Sequence, residues 1–159
     1  MIKPDIYPPT DGGQNPSGFL RLSSYIPDQS MAGKRRRKSL RGTSGADELT
    51  GTPKKRSVYG LDGDDVLSTE EGRYKVYGGE GKDKFVTLNG AKGYMTIMDM
   101  EAGEEIEFCG CASTEIKQSG KHVRIVKGDD IKAVVRNADA DDFDMDFTNR
   151  LITMTDPLA

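Results

Sequence analysis

A nine-residue repeat between Gly42 and Met95 constrains the fold of this chain more than any other feature. Its three clearest blocks begin 18 residues apart, at residues 42, 60 and 78. Glycine recurs at the first and fourth places of each block, and the sixth place holds Asp47, Asp65 and Asp83 in turn. A short fixed period predicts a stack of similar turns of chain, and an aspartate recurring among glycines predicts a row of oxygen ligands.

The eighth place of each block, and of each nine-residue spacer, holds an apolar residue. The series is Leu49, Val58, Leu67, Val76, Phe85 and Tyr94. Leucine, β-branched and aromatic residues suit short buried strands. We therefore predict an all-β stack whose 18-residue turns each contain two bends and two short strands. One such turn cannot bury its apolar residues alone, so neighbouring turns and a cap must stabilise it.

The composition of the blocks favours calcium over other metals. Glycine allows the backbone to adopt conformations that point carbonyl oxygens towards a common centre, and the aspartate adds a carboxylate. Two stacked turns then offer about six hard oxygen ligands, which is the coordination that Ca²⁺ prefers. Zinc and copper prefer nitrogen or sulfur, and the repeat contains no histidine or cysteine,. Magnesium is disfavoured because the site would offer mostly carbonyl oxygens and few waters.

The blocks strongly resemble the repeats-in-toxin (RTX), or haemolysin-type, calcium-binding nonapeptide GGxGxDxUx, in which U is a large apolar residue. Residues 78–86 match at every fixed position, and the other two blocks differ only at the second glycine, where Thr43 and Leu61 stand. The resemblance implies a short parallel β-roll, a right-handed β-solenoid, that holds calcium between successive turns. The spacers carry Arg56 and Tyr74 at the sixth place, so calcium is expected on one side of the roll only.

The resemblance also implies the ligand residues. About two ions are expected, one between the first and second blocks and one between the second and third. The implied ligand residues are Gly42, Ser44, Asp47, Gly60, Asp62, Gly63, Asp65, Gly78, Gly79, Gly81 and Asp83.

The similarity continues beyond the repeat. Residues 93–108 resemble the strand that closes these rolls, and residues 137–147 resemble a terminal element with Ala138, Phe143 and Phe147 as its apolar points. Between them, residues 120–135 predict two alternating strands joined by a Gly-Asp-Asp turn. We therefore divide the chain into an extended arm (residues 1–41), a calcium-binding β-roll (42–95) and a C-terminal cap of β-strands with a tail (96–159).

The predicted arm is rich in proline and holds five of the seven prolines of the chain. Two of its features suggest contact with a partner, namely a small apolar patch and a basic run. Their residues are Phe19, Leu20, Tyr25, Lys34, Arg35, Arg36, Arg37 and Lys38. The basic run is either a solvated linker or a docking segment for an acidic surface or acidic protein. It lacks interleaved aromatic residues, which argues against nucleic acid as the partner.

Charge and hydropathy predict that calcium contributes directly to folding. The mean hydropathy is −0.63 and 35% of the residues are hydrophobic, so the expected core is modest,. Without metal, the stacked aspartates would repel one another. We therefore expect a loosened metal-free state and a folded calcium state.

The sequence suggests an exported structural protein and gives no sign of an enzyme. The first residues lack the apolar core of a signal peptide, and no transmembrane stretch is present,. Members of the resembled family commonly leave the cell by type I secretion, so we expect a secreted or surface location. His122 is the only histidine and has no nucleophile pattern nearby. If Cys109 and Cys111 lie on a strand, both point to one face and seldom form a good disulfide, so we expect buried, unpaired small residues, with pairing to another chain or redox chemistry as the alternative.

Two main functions remain open. The first is a secreted or surface-displayed calcium-binding structural module. The second is a subunit of a larger assembly, such as a virion or surface layer, that is anchored through the arm. A remnant or tail of a secreted hydrolase is a third alternative.

Overall fold

The computed structural model describes residues 38–90 and 92–156. The chain divides into the units Met1–Arg36 and Arg37–Ala159, and all described residues belong to the second unit. The predicted arm therefore lies outside the described residues, apart from residues 38–41.

The described chain consists of short strands joined by tight turns. It has no α-helix, and its one helical segment is the 3-10 turn Ala140–Asp142. The strands in chain order are β1 (Ser39–Arg41), β2 (Glu48–Gly51), β3 (Ser57–Asp62), β4 (Val66–Thr69), β5 (Gly72–Glu80), β6 (Lys84–Val86), β7 (Gly93–Ile97), β8 (Glu105–Glu107), β9 (Thr114–Ser119), β10 (His122–Lys127), β11 (Asp130–Arg136), β12 (Phe143–Asp146) and β13 (Leu151–Met154).

These strands form two sheets, and consecutive strands of the roll alternate between them. The seven-stranded sheet has the order β9-β10-β11-β7-β5-β3-β1, and the six-stranded sheet has the order β12-β13-β8-β6-β4-β2. Strands β1, β3, β5 and β7 pair in parallel in the first sheet, as do β2, β4, β6 and β8 in the second. The all-β class and the parallel stacking are confirmed.

The pairing register confirms the 18-residue turn for the first three turns. Leu40 pairs with Val58 and Val58 with Val76 in one sheet, while Leu49 pairs with Leu67 in the other. The eighth-place residues therefore lie directly above one another, as the repeat predicts.

The fourth turn is 21 residues long, and the predicted place of Tyr94 in the eighth-place series is wrong. Val76 pairs with Ile97, while Tyr94 pairs with Arg73 and is only half-buried. The reason is a turn between β6 and β7 that contains three more residues than its equivalents. Ile97 is fully buried and continues the apolar row instead.

The core lies between the inner faces of the two sheets. The seven-stranded sheet contributes side chains such as Val58 and Val76, and the six-stranded sheet contributes Leu67 and Phe85, all of them fully buried. Each large apolar side chain removed from water in this way stabilises the fold by about 1.5–3 kcal/mol. The eighth-place pattern therefore marks the core of the roll.

The C-terminal strands extend both sheets and cover the last turn. Strands β10 and β11 form the predicted hairpin and join the roll by parallel pairing of β11 with β7. Strands β12 and β13 form a second hairpin, which pairs antiparallel with β8. Phe143 is buried as expected, but Phe147 is 47% exposed and contacts Phe108 edge-on at 5.6 Å between ring centroids.

The structure joins Cys109 and Cys111 in a disulfide, so the prediction of unpaired cysteines on a strand is wrong. The two residues lie after β8 and outside any strand, on either side of Gly110, whose φ is 67°. This left-handed bend sets the two Cα atoms 5.2 Å apart, within the usual range for a disulfide,.

Candidate metal centre

Asp47, Asp65 and Asp83 occupy equivalent positions in three successive turns, and we refer to them as the aspartate ladder. Each stands just before a strand of the six-stranded sheet. The backbone N–H of Asp47 donates to Oδ1 of Asp65 over 2.7 Å, and the N–H of Asp65 donates to Oδ1 of Asp83 over 2.9 Å. One oxygen of each of the two later carboxylates therefore ties its turn to the preceding turn.

The second carboxylate oxygens of Asp65 and Asp83 are buried without a hydrogen-bond partner. Both residues are only 1% exposed, and neither Oδ2 accepts a hydrogen bond within the described part of the chain. An unsatisfied buried polar group destabilises a fold by about 1–3 kcal/mol, and by more when it is charged. Burial raises the pKa of Asp65, and the charges of Asp83 and Asp47 add to that shift against the backbone hydrogen bond. These oxygens therefore favour a cation or a proton beside them.

The first-place glycines bring a carbonyl oxygen of one turn next to the carboxylate of the preceding turn. We call the space between the turns of Asp47 and Asp65 the first gap, and the space between the second and third ladder turns the second gap. A Cβ added at Gly42 would lie 2.5 Å from the carbonyl oxygen of Gly60 and 2.7 Å from Oδ2 of Asp47. A Cβ added at Gly60 would collide with Oδ2 of Asp65 and with the carbonyl oxygen of Gly78. Each gap thus holds a carboxylate oxygen and a carbonyl oxygen where only glycine fits.

Thr43 makes the first gap different from the second. It stands where the repeat has its second glycine, and its N–H and hydroxyl both donate to Oδ2 of Asp47, over 2.6 Å and 2.9 Å. The carboxylate oxygen of the first gap therefore already has partners, whereas its equivalent on Asp65 has none.

The second and third blocks hold backbone conformations that favour glycine. Gly63, Gly79 and Gly81 have φ values of 109°, 111° and 132°. Leu61 occupies the second place of its block with a φ of 101°, in a region of backbone conformation that residues other than glycine rarely adopt,. The second place of this block, which lacks glycine, therefore carries backbone strain at Leu61,.

The structure separates the predicted ligand residues into buried and exposed groups. The buried ones are Gly60, Asp65, Gly78 and Asp83, and the half-buried ones are Gly42, Asp47, Gly63 and Gly79. Ser44, Asp62 and Gly81 are exposed. Of the predicted partner-binding residues, Lys38 is exposed, and the others lie outside the described residues.

Glu104 and Asp99 continue the ladder into the fourth turn. Neither residue is among the ligands that the sequence predicts. Lys84 pairs with Glu105, so Glu104 follows Asp83 in the stack at a distance of 21 residues. A sequence signal was present, because Glu104 precedes the buried Ile106 by two residues, as Asp83 precedes Phe85. The three-residue insertion concealed this signal.

Both carboxylates of the fourth turn lie in a crowded anionic environment. Glu104 is 1% exposed, and its Oε2 accepts the N–H of Glu101 over 2.7 Å, whereas its Oε1 is buried without a partner. Burial raises the pKa of Glu104 to about 8, and the charges of Asp83 and Asp99 contribute to the shift. Oδ1 of Asp99 accepts the N–H of Gly78 over 3.0 Å, and burial also raises the pKa of Asp99.

Carboxylates alone do not form a closed cage in this structure. Within residues 38–90 and 92–156, no three His, Cys, Asp or Glu side chains converge on one point in a way that could hold a metal ion. A cation in a gap would therefore need backbone carbonyl oxygens as well. The close approach of the Gly60 and Gly78 carbonyl oxygens to the preceding turns supplies such ligands.

Comparison with models of known protein families gives no match, and no curated protein matches the chain. Among the described residues, no helix is long and apolar enough to cross a membrane. The assignment of a ligand therefore depends on the oxygen atoms of the stacked turns.

Proposed function

We propose that the protein is a calcium-binding structural module of the RTX type, with Ca²⁺ bound in the first and second gaps. The observation that carries this proposal is Oδ2 of Asp65. It is buried and has no hydrogen-bond partner, and both this oxygen and the carbonyl oxygen of Gly78 lie where a Cβ on residue 60 would collide with them. A divalent cation would satisfy both oxygens and neutralise the buried charge.

The donor atoms in the gaps favour calcium. They are carboxylate and carbonyl oxygens, which suit a hard cation with six to eight ligands. Zinc and copper prefer nitrogen and sulfur ligands. The one imidazole of the chain, His122, accepts the N–H of Asn137 through Nδ1 in the C-terminal cap. The resemblance of the blocks to the RTX nonapeptide supports the same assignment.

Calcium in these gaps would couple ion binding to folding. The ladder carboxylates stack along one side of the roll, and burial keeps water from screening the charges of Asp65 and Asp83,. A bound ion would link the ladder residues of two turns, so its binding free energy would add to the stability of the stack. Extracellular calcium-binding modules have dissociation constants of roughly 10⁻⁴–10⁻³ M, so we propose that the roll folds fully after export.

Calorimetric titration of the full chain with Ca²⁺, Mg²⁺ and Zn²⁺ tests this proposal. We expect saturable binding of Ca²⁺, and the Asp65→Asn variant should lose or weaken both ions because Asp65 borders both gaps. Asp129→Asn is the matched control, because Asp129 is exposed in the turn between β10 and β11 and its replacement removes the same charge. No calcium binding by the wild type, or equal binding by Asp65→Asn, would refute the proposal.

The alternative function, a subunit of a larger assembly, is favoured by a separate feature. The outer face of the seven-stranded sheet carries cations that form no ion pair within the described part of the chain. They are Arg41, Arg73, Lys75, Arg124 and Arg136. Arg41 lies over the ring of Tyr59, 4.7 Å from its centroid, and Tyr59 stacks on Tyr77. Such a face suits an acidic partner protein.

Binding to immobilised polyglutamate tests the acidic-partner alternative. Replacing Arg41, Arg73 and Lys75 by glutamine should lower the salt concentration at which the protein elutes. Replacing Lys54, Lys55 and Lys121 by glutamine removes the same charge from other turns and should change elution less. Equal shifts for the two triple variants would show that net charge alone accounts for retention, and would exclude a dedicated face.

A further inference from the structure

The space between the turn of Asp83 and the fourth turn, which we call the third gap, has the same framework as the other two. The backbone N–H of Glu105 donates to the carbonyl oxygen of Asp83 over 3.0 Å and holds the turns together. In the second gap, Oδ2 of Asp65 lies beside a carbonyl oxygen of the following turn. By the same register, Oδ2 of Asp83 faces the third gap.

Two buried carboxylate oxygens without hydrogen-bond partners meet this gap from opposite sides. Oδ2 of Asp83 comes from the third turn and Oε1 of Glu104 from the fourth, and both residues are 1% exposed. Asp99 adds a third carboxylate, which stands where the other turns have their first-place glycine and accepts the N–H of Gly78. The third gap therefore has three carboxylates, and two of them have a buried oxygen without a hydrogen-bond partner.

No cation of the described chain neutralises these three carboxylates. Lys84 forms its ion pairs with Glu105 and Glu107 on the outer face of the six-stranded sheet. Nζ of Lys82 lies near Gly103 and forms no ion pair with described residues. A buried cluster of uncompensated negative charge is strongly unfavourable unless a cation binds or a proton is taken up.

We propose that the third gap is a separate calcium site, with Asp83, Asp99 and Glu104 as its carboxylate ligands. This inference rests on the proposed function, because it adds an ion to the first two gaps. The three side chains do not surround one point among the described residues, so the flexible Glu104 side chain has to rotate for the site to close. Affinity for Ca²⁺ is tuned by the number of charged ligands, so the third gap should bind Ca²⁺ more tightly than the first.

Calorimetric titration of the Glu104→Gln variant with Ca²⁺ tests the third site in the full chain. Glutamine keeps the size of the side chain and removes its charge. We expect the variant to lose one ion relative to the wild type, or to bind that ion at least about tenfold more weakly. Glu70→Gln is the matched control, because Glu70 is exposed in the turn between β4 and β5, which carries no ladder carboxylate, and the substitution removes the same charge.

A second readout separates a ligand role from a purely structural role. Without calcium, Glu104→Gln should unfold at a higher urea concentration than the wild type, because it replaces a carboxylate whose burial without a cation destabilises the fold. With saturating calcium, the order should reverse. Asp99→Asn should also lose the ion of the third gap.

The possible results distinguish this inference from the proposed function. The third site would be overturned, and the first two left intact, if the wild type binds calcium and both Glu104→Gln and Asp99→Asn bind it with unchanged stoichiometry and affinity. Wild-type protein that binds no calcium would overturn both. Loss of one ion in both variants, with Glu70→Gln unchanged, would support the third site.

Discussion

Replacing Gly60 by alanine is a small change that acts directly on the second gap. The added Cβ would collide with Oδ2 of Asp65 and with the carbonyl oxygen of Gly78. The carbonyl belongs to the backbone of β5, which pairs with β3 on both sides of this point, so the carboxylate has to be displaced. Overpacking of this kind typically destabilises a protein by about 1–3 kcal/mol. The unit Arg37–Ala159 should then show a melting temperature lower by roughly 3–5 °C per kcal/mol,.

Thermal unfolding followed by circular dichroism, with and without calcium, measures this effect. The loss of stability should be larger with calcium, because Gly60→Ala also displaces a ligand of the ion. Gly45→Ala is the matched control, since a Cβ at Gly45 meets nothing within 4 Å and its φ is not positive. Equal melting temperatures of the two variants, or a calcium affinity of Gly60→Ala equal to that of the wild type, would show that the added Cβ does not displace the Asp65 carboxylate.

Two further predictions concern strain and pH. Leu61→Gly should raise the free energy of unfolding measured in urea by about 1 kcal/mol. It relieves roughly 1–3 kcal/mol of backbone strain, and the greater entropy of glycine in the unfolded chain offsets up to about 1 kcal/mol of this gain. A destabilised variant would contradict this. The metal-free protein should lose stability as pH rises from 4.5 to about 8, because folded Glu104 keeps its proton up to a pKa of about 8, whereas the unfolded residue releases it near 4.5. Each unit of pKa difference corresponds to about 1.4 kcal/mol. The free energy of unfolding of the metal-free wild type should therefore be clearly lower at pH 8 than at pH 5, and this difference should be smaller in Glu104→Gln. A metal-free wild type that is equally stable at both pH values would contradict this.

The sequence predicts the stacked turns well because glycine, aspartate and apolar places recur in phase. The eighth-place residues from Leu49 to Phe85 lie in the register that the spacing predicts. The alignment of Asp65 with Asp83 follows from the same period. A local repeat determines parallel stacking because every turn repeats the contacts of the turn before it.

The fourth turn was harder to predict because an insertion hides its phase. Three additional residues ahead of β7 shift the apolar row from Tyr94 to Ile97. The same shift moves the sixth place of the repeat to residue 104. This place holds glutamate instead of aspartate, and Asp99 stands where the other turns have their first-place glycine. The pairing of Lys84 with Glu105 and of Phe85 with Ile106 places Glu104 in the ladder.

The disulfide and the function of Thr43 depend on backbone bends that the sequence pattern does not specify. A left-handed Gly110 brings Cys109 and Cys111 together, whereas a strand would have separated them. Thr43 avoids the left-handed conformation that Leu61 adopts, and uses its hydroxyl to bind Asp47. Both outcomes depend on the choice of φ at a single residue.

Anomalous diffraction from crystals grown with millimolar calcium, or with terbium in its place, is the most direct test of ions between the stacked turns. We expect a peak between the turns of Asp65 and Asp83, with carboxylate and carbonyl oxygens at about 2.3–2.6 Å from a calcium ion. A well-ordered roll with no peak beside Oδ2 of Asp65 at that concentration would contradict it.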